Sequence, residues 1–246
     1  MKKLFLAVLL LSLSVCAFAQ QDYVGRYDVY TGYSYLASPA LNLSQRGFNT
    51  QLGYNARRWL AMGFDYSWQD GRGTLSPGAL KPAYKTDVDG LIALGMEGAL
   101  IPYGVPKLPS TYVASVPFSA ATQTFTAGPQ LAYRHFKYVT LFVHPSIGAI
   151  HEHINLEPWD PFTTFVAGPS GALVTAGVLN STHPSDTTYF WGAGGGFDLN
   201  ATKHFHLRTD VEFVHVFLFS GLLENSRNSV RVSVGPTYNF GKNVTR

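Results

Sequence analysis

Charge is scarce in this chain. Asp, Glu, Lys and Arg make up 13% of its 246 residues, about half the share expected of an ordinary soluble domain. Cysteine is nearly absent. The only one, Cys16, lies in an N-terminal apolar run, so the chain beyond it has no disulfide, no thiol nucleophile and no cysteine-based metal site. Beyond residue 20 there is no apolar run of about 18 residues, which excludes a membrane-spanning helix there. An excess of one charge sign is missing as well. The 18 Lys and Arg face 15 Asp and Glu, and Lys2 and Lys3 belong to the N-terminal segment. The remainder is close to neutral, which removes the electrostatic case for a nucleic-acid partner.

That segment reads MKKLFLAVLLLSLSVCAFAQ. A basic start, an apolar stretch too short to span a bilayer and an Ala17-Phe18-Ala19 cleavage signal mark residues 1–19 as a secretory signal peptide. The mature domain is expected over 20–246.

Aromatic residues (14%) and glycines (24 of them) are plentiful. Their arrangement follows a period of two. In Leu60–Trp68, the residues Leu60, Met62, Phe64, Tyr66 and Trp68 alternate with Ala61, Gly63, Asp65 and Ser67. Between Val230 and Phe240, large apolar residues alternate with Arg231, Ser233, Gly235, Thr237 and Asn239. One face is large and apolar, the other small or polar. This fits strands whose broad face meets lipid and whose narrow face lines a crowded barrel interior.

Eight such segments run over 27–37, 46–54, 59–69, 121–134, 138–150, 187–199, 204–218 and 228–240. Short turns at 55–58, 135–137 and 200–203 alternate with long connections at 38–45, 70–120, 151–186 and 219–227. The expected fold is all-β: an eight-stranded antiparallel up-and-down transmembrane β-barrel with short periplasmic turns and long extracellular loops. Tyr54, Trp59, Tyr133, Tyr138, Phe205, Tyr238 and Phe240 cluster at the turn side. Tyr66, Trp68, Phe125, Tyr189, Trp191 and Phe217 cluster at the loop side, forming a second girdle. Pro129, Pro145 and Pro236 interrupt the pattern and are expected to mark bulges or strand ends. The apolar stretches in loops 70–120 and 151–186 leave room for short helices, for strands rising above the bilayer or for a ten-stranded barrel.

The last segment, SVGPTYNF, resembles the assembly signal of outer-membrane barrels, with Ser233, Gly235, Tyr238 and Phe240 in its four slots, although Gly241 to Arg246 follow Phe240. More broadly, DVYTGYSYLAS and GFNTQLGYNARRWLAMGFDYSW resemble the small OmpA-like and OmpX-like outer-membrane barrel domains of Gram-negative bacteria. The resemblance implies a chain inserted by the barrel-assembly machinery into the cell outer membrane. It implies contact with outer-membrane lipid and lipopolysaccharide, no common cofactor, no common catalytic residues, and roles in adhesion, envelope integrity or recognition of an extracellular ligand.

Inward positions on this register include Asp28, Asp65, Arg134, His144, Asp198, His206, Arg208, Asp210, Glu212 and Arg231. Eight strands leave a lumen that side chains nearly fill, and charges buried there must be paired. An ion-pair network of Asp28, Asp65, Arg134, Asp198, Arg208, Asp210, Glu212 and Arg231 is therefore expected to close it. The function so indicated is non-enzymatic, structural or surface-binding through the loops.

Two alternatives are a narrow-pore transporter and a lipid-modifying enzyme. For the enzyme, His144 and Ser146 share a strand face, and lipid A deacylases carry a His-x-Ser pair on a strand; this register points both side chains away from lipid. His151 and His153 lie on one face with His183 further along, but a solvated rim accounts for them better than a metal site. The glycines at 194–196 are expected to relieve crowding in the lumen.

Overall fold

The computed structural model describes residues 23–179, 181–224 and 227–244; the signal peptide with Cys16 lies outside them. Eight strands follow the alternating segments: β1 (Gly25–Ser38), β2 (Leu43–Arg57), β3 (Leu60–Leu75), β4 (Val116–Tyr133), β5 (Val139–Leu156), β6 (Ser185–Asn200), β7 (Phe205–Val216) and β8 (Arg227–Asn243). Each pairs antiparallel with its sequence neighbours, and β8 returns to β1, so the sheet is a closed eight-stranded barrel. Closure leaves no free edge. The ten-stranded alternative is not what forms among the described residues.

The period-two pattern holds around the wall. On β8, Arg227, Ser229, Arg231, Ser233, Thr237 and Asn239 are buried in the lumen, while Val230, Val232, Val234, Tyr238 and Phe240 face out. The two aromatic bands both lie on the outer face. At the turn end Phe205 packs on Tyr238 at 4.9 Å and Tyr27 on Phe240 at 5.7 Å. At the loop end Tyr66 packs on Phe125 at 4.9 Å and Tyr189 on Phe217 at 5.5 Å.

Most strands extend past the expected segments, chiefly at the loop end, where β3 reaches Leu75, β4 begins at Val116 and β5 reaches Leu156, whereas β7 stops at Val216, short of the expected 218. The three prolines mark neither bulges nor strand ends. Pro129 and Pro145 stand opposite one another across the β4–β5 seam. The pairs stop at Ala127↔Ile147 and resume in the same register at Leu131↔Val143. Two missing N–H donors remove rungs without moving the register. Pro236 does the same on the β1 side of β8, between Tyr30↔Thr237 and Tyr33↔Val234.

The two longest connections fold into a cap over the loop end. It contains helix α1 (Pro82–Glu97), α2 (Pro161–Ala167) and α3 (Ala172–Thr175). Proline at the first helical position favours the starts of α1 and α2. Asp160 caps α2 by accepting from Thr163 N at 2.6 Å, and Thr163 Oγ1 accepts from Asp160 N at 3.0 Å, which closes a capping box. α1 ends at Gly98 with φ +86, a left-handed cap that glycine adopts without strain. Leu80, Val88, Leu100, Leu108, Phe162, Val166 and Leu173 of the cap join Leu43, Phe118, Ile154 and Leu156 of the strands in one apolar cluster.

Candidate functional site

The candidate site is the lumen and the cap that closes it. Nearest the turn end, Asn55 Nδ2 donates to Asp28 Oδ2 at 2.9 Å, and Arg134 Nη2 donates to Asn55 Oδ1 at 3.0 Å. Arg208 holds Asp198 with two hydrogen bonds, from Nε at 2.8 Å and from Nη2 at 3.0 Å. The same guanidinium donates to Gln51, lies 3.9 Å from Asp28 and sits over the Phe142 ring at 4.8 Å. It is tied to two carboxylates, an amide and an aromatic face, an arrangement its planar fork suits.

Further along, His144 Nε2 lies 3.1 Å from Asp210 Oδ1. Ser146 donates to Glu212, and Arg231 donates to Glu212, to Ser67 at 2.9 Å and to Thr124 at 3.0 Å. His144 and Ser146 therefore reach past β6 to partners on β7. The inward glycines of β6 allow it. A side chain on Gly194 would begin 2.8 Å from His144 Nε2, and one on Gly192 would begin 2.8 Å from Ser146 Oγ. Both distances are too short for ordinary packing.

Below the cap, Arg227 donates to both carboxylate oxygens of Glu152, at 2.7 and 2.8 Å, and Thr122 bridges Glu152 to Gln45. Both members of this pair are buried. Sequence reasoning missed it because Glu152 and Arg227 fall in stretches read as loops. The alternation of 150, 152 and 154 against 151 and 153 was the available signal.

All eight residues expected in the network face the lumen, but they are not equally partnered. Asp28, Asp198, Arg208, Glu212 and Arg231 join in ion pairs within 4 Å, and Asp210 pairs with His144. Asp65 meets Gln51 Nε2 at 3.3 Å, and Arg134 meets Asn55 and the Arg58 carbonyl rather than a carboxylate. His206 is buried with neither ring nitrogen bonded among the described residues.

His144 and Ser146 hold two different carboxylates and lie on the lumen side, so the hydroxyl is not presented to the imidazole as a nucleophile to its base. His153 and His183 stack with ring centroids 6.3 Å apart, and His151 bonds Thr187 at 2.7 Å. Among the described residues no three metal-ligating side chains gather.

In the SVGPTYNF stretch, Ser233 is buried inward while Tyr238 and Phe240 face out at the turn end. A side chain at Gly235 would begin 2.2 Å from Thr31 O, so the closing seam with β1 itself requires glycine there. In the cap, Tyr112 donates to Asp160 Oδ2 at 2.7 Å and Trp159 Nε1 to Ser115 O at 2.9 Å. Partial burial and the Asp160 contact push the Tyr112 phenol upward from its usual range.

The fold and the site together define a class: a closed eight-stranded barrel with an apolar outer wall and a polar, packed lumen. No family model matches the chain, and no curated protein does. Solved structures to which it is similar include three small outer-membrane barrels. Neisserial surface protein A is 10% identical, with 87% of this chain and 96% of that one covered at a TM-score of 0.48. The outer membrane protein OprG of Pseudomonas aeruginosa is 8% identical, with 91% and 99% covered at 0.48. The attachment invasion locus protein Ail of Yersinia pestis is 14% identical, with 88% and 99% covered at 0.43.

Proposed function

We propose that this chain is an integral outer-membrane barrel, exported with cleavage of residues 1–19, that acts without catalysis as a closed structural anchor presenting its cap to a partner outside the cell. The observation that carries this reading is the column of buried polar contacts from Asp28 to Arg227, which occupies the lumen from the turn end to the base of the cap. A wall of outward Phe64, Leu141, Val143 and Ile147 between the aromatic bands supports the contact with lipid and lipopolysaccharide. The cap exposes Tyr103, Val113 and Trp159, and we assign the binding face for an extracellular ligand to that surface. Ser233, Gly235, Tyr238 and Phe240 serve as the signal read by the barrel-assembly machinery.

The test has three arms. Unboiled protein from an outer-membrane fraction should migrate apart from boiled protein in detergent gels. Purified protein in planar bilayers should give no steady conductance. Lipid A from cells with and without the protein should be identical. Recovery in the soluble periplasm without a gel shift overturns the membrane reading, steady ion flow overturns the closed lumen, and a deacylated lipid A overturns the non-enzymatic role.

A further inference from the structure

The two ends of the barrel differ in the sign of the charge they expose. At the loop end both signs are present: Asp70, Asp87, Asp89, Glu97 and Glu224 stand among Arg46, Arg72, Lys85 and Lys107. At the turn end only one sign is. Arg57 at the end of β2, Lys137 between β4 and β5, Lys203 between β6 and β7 and Lys242 in the last turn of β8 are exposed, and Arg26 on β1 is partly so. Among the described residues the carboxylates nearest that end are Asp28 and Asp198, and both are buried in the lumen against Arg208. Just outside the described residues the sequence adds one acid, Asp22, and one base, Arg246, which leaves the excess unchanged.

The height of these cations is set by the turn-side aromatic band. Arg26 Nη1 donates to the Tyr54 hydroxyl at 3.2 Å, with its guanidinium carbon 5.7 Å from the ring centroid. Lys137 Nζ lies 5.5 Å from the centroid of Tyr138. Both rings are exposed on the outer face. Lys137 and Lys203 also share one recess of about 220 Å³, lined by Tyr23, Tyr138 and Asn200 and by no carboxylate. Tyr23 is held there by donating to Gly241 O at 2.6 Å and by an edge-on contact with His204 at 5.0 Å.

We infer that the turn end is a docking ring for anionic phospholipid of the leaflet in which it lies, and that the recess between Lys137 and Lys203 takes one phosphodiester headgroup of the phosphatidylglycerol class. Lysine and arginine are drawn to an anionic lipid surface only within about a Debye length of it. Cations resting on girdle tyrosines meet that condition, because such rings sit at the headgroup level. Their distribution selects lipid over a protein partner. They come from β1, β2, β8 and two separate turns and so encircle the barrel, as surrounding lipid does, whereas a compact protein would meet them on one side. The inference rests on the membrane reading of the proposed function, because without a bilayer the same cations are merely solvated.

The experiment is native mass spectrometry of the full folded chain in neutral maltoside micelles, with phosphatidylglycerol and phosphatidylcholine of identical acyl chains added in equal amounts. The first lipid bound should be phosphatidylglycerol in preference, by about five-fold for each lysine that contacts it. Lys203→Gln alone should remove about that factor. Lys137→Gln together with Lys203→Gln should remove most of the preference while keeping the gel-mobility shift. Lys85→Gln together with Lys107→Gln, at the loop end, should leave it intact. Equal binding of the two lipids by a wild-type barrel that shows the gel shift overturns the ring alone. So does a preference that survives the loss of Lys137 and Lys203, or one that the loop-end changes abolish. Equal binding combined with lysine-dependent co-sedimentation on purified cell-wall sacculi would assign the rim to cell-wall polymer and overturn the lipid. A chain that binds neither lipid and shows no gel shift overturns the membrane reading, and the ring with it.

Discussion

The same inward face of the same strands is lined by two different chemistries at its two ends. Along β4 the lumen is lined by Gln130, Thr126, Thr124 and Thr122, and then, toward the loops, by Ala120, Phe118 and Val116. Along β5 it passes from His144 and Ser146 to Ile154 and Leu156. The Glu152–Arg227 pair stands at the border. Below it, apart from an apolar patch of Ile150, Phe190 and Val214 just under the pair, cohesion is directional: each charge needs a particular partner at a particular distance. Above it, cohesion is apolar burial, which grades with area. The outer wall has to be apolar where it meets lipid. It can rise above that level only if something else dries the interior, and the cap helices do so.

The comparison breaks most visibly if single charge deletions in the lower zone prove mild. Arg231→Ala leaves Glu212 buried without its cation and two hydroxyls without their donor. The expected loss is about 4 kcal/mol of unfolding free energy, read from urea titration of the folded barrel in micelles. Replacing Arg231 and Glu212 together by Met and Leu should cost far less, because no unpaired charge remains. Equal losses for the single and the double change would mean that the pair is not a unit.

The upper zone should answer to volume instead. Phe162→Ala removes a fully buried ring from the cap cluster, and about 3 kcal/mol is expected. The loss should appear in cap-specific signals, such as proteolysis between β3 and β4, while the gel-mobility shift of the barrel persists. Global unfolding with loss of that shift would show that cap and barrel are one cooperative unit.

Much of the lower zone was legible in the sequence, because a strict period of two places each residue on one face without knowledge of its neighbours. Leu60–Trp68 and Val230–Phe240 read that way without ambiguity, and so did the inward direction of Asp28, Asp65, Arg208 and Arg231. The partners were not legible. That His144 would bind Asp210 and Ser146 would bind Glu212, over the intervening strand, depends on barrel curvature and on the β6 glycines. The upper zone was legible only as apolar loops. There the alternation inverts, with Ile154 and Leu156 turned inward and His153 and Asn155 outward, so Glu152 and Arg227 were cut off from their strands. α1 keeps only Val88 and Gly95 buried, and its helical period is correspondingly faint.

The glycine stripe of β6 offers a finer test of the lower zone. Gly194→Ala puts a methyl group where His144 Nε2 now lies 2.8 Å away and Glu212 Cβ 3.0 Å away. Overpacking of this kind costs about 2 kcal/mol, and shortening His144 to Ala should relieve only part of it, because Val211 O at 2.9 Å and Glu212 Cβ still crowd the methyl group. A double-mutant cycle in urea measures the coupling. Additive losses would mean that the glycine serves the backbone rather than the His144–Asp210 contact.

The smallest effect is expected where the two chemistries meet in reverse, at a directional contact within the apolar cap. Asp160 caps α2 through Thr163 N and also accepts from Tyr112 across the cap. Asp160→Ala should cost about 1 kcal/mol from the cap alone, since the Tyr112 side of the contact is part-exposed. Asp160→Asn should recover most of it, because the amide oxygen can still accept from Thr163 N. Partial recovery with a faster cleavage of the segment between α1 and β4 would place the remaining share in the Tyr112 bond. Its donor keeps its proton well into the alkaline range, so that share should be constant from neutral pH upward until the phenol ionises. A loss in Asp160→Ala as large as that in Phe162→Ala would mean that the cap, like the lumen below it, is held by a named partner rather than by volume.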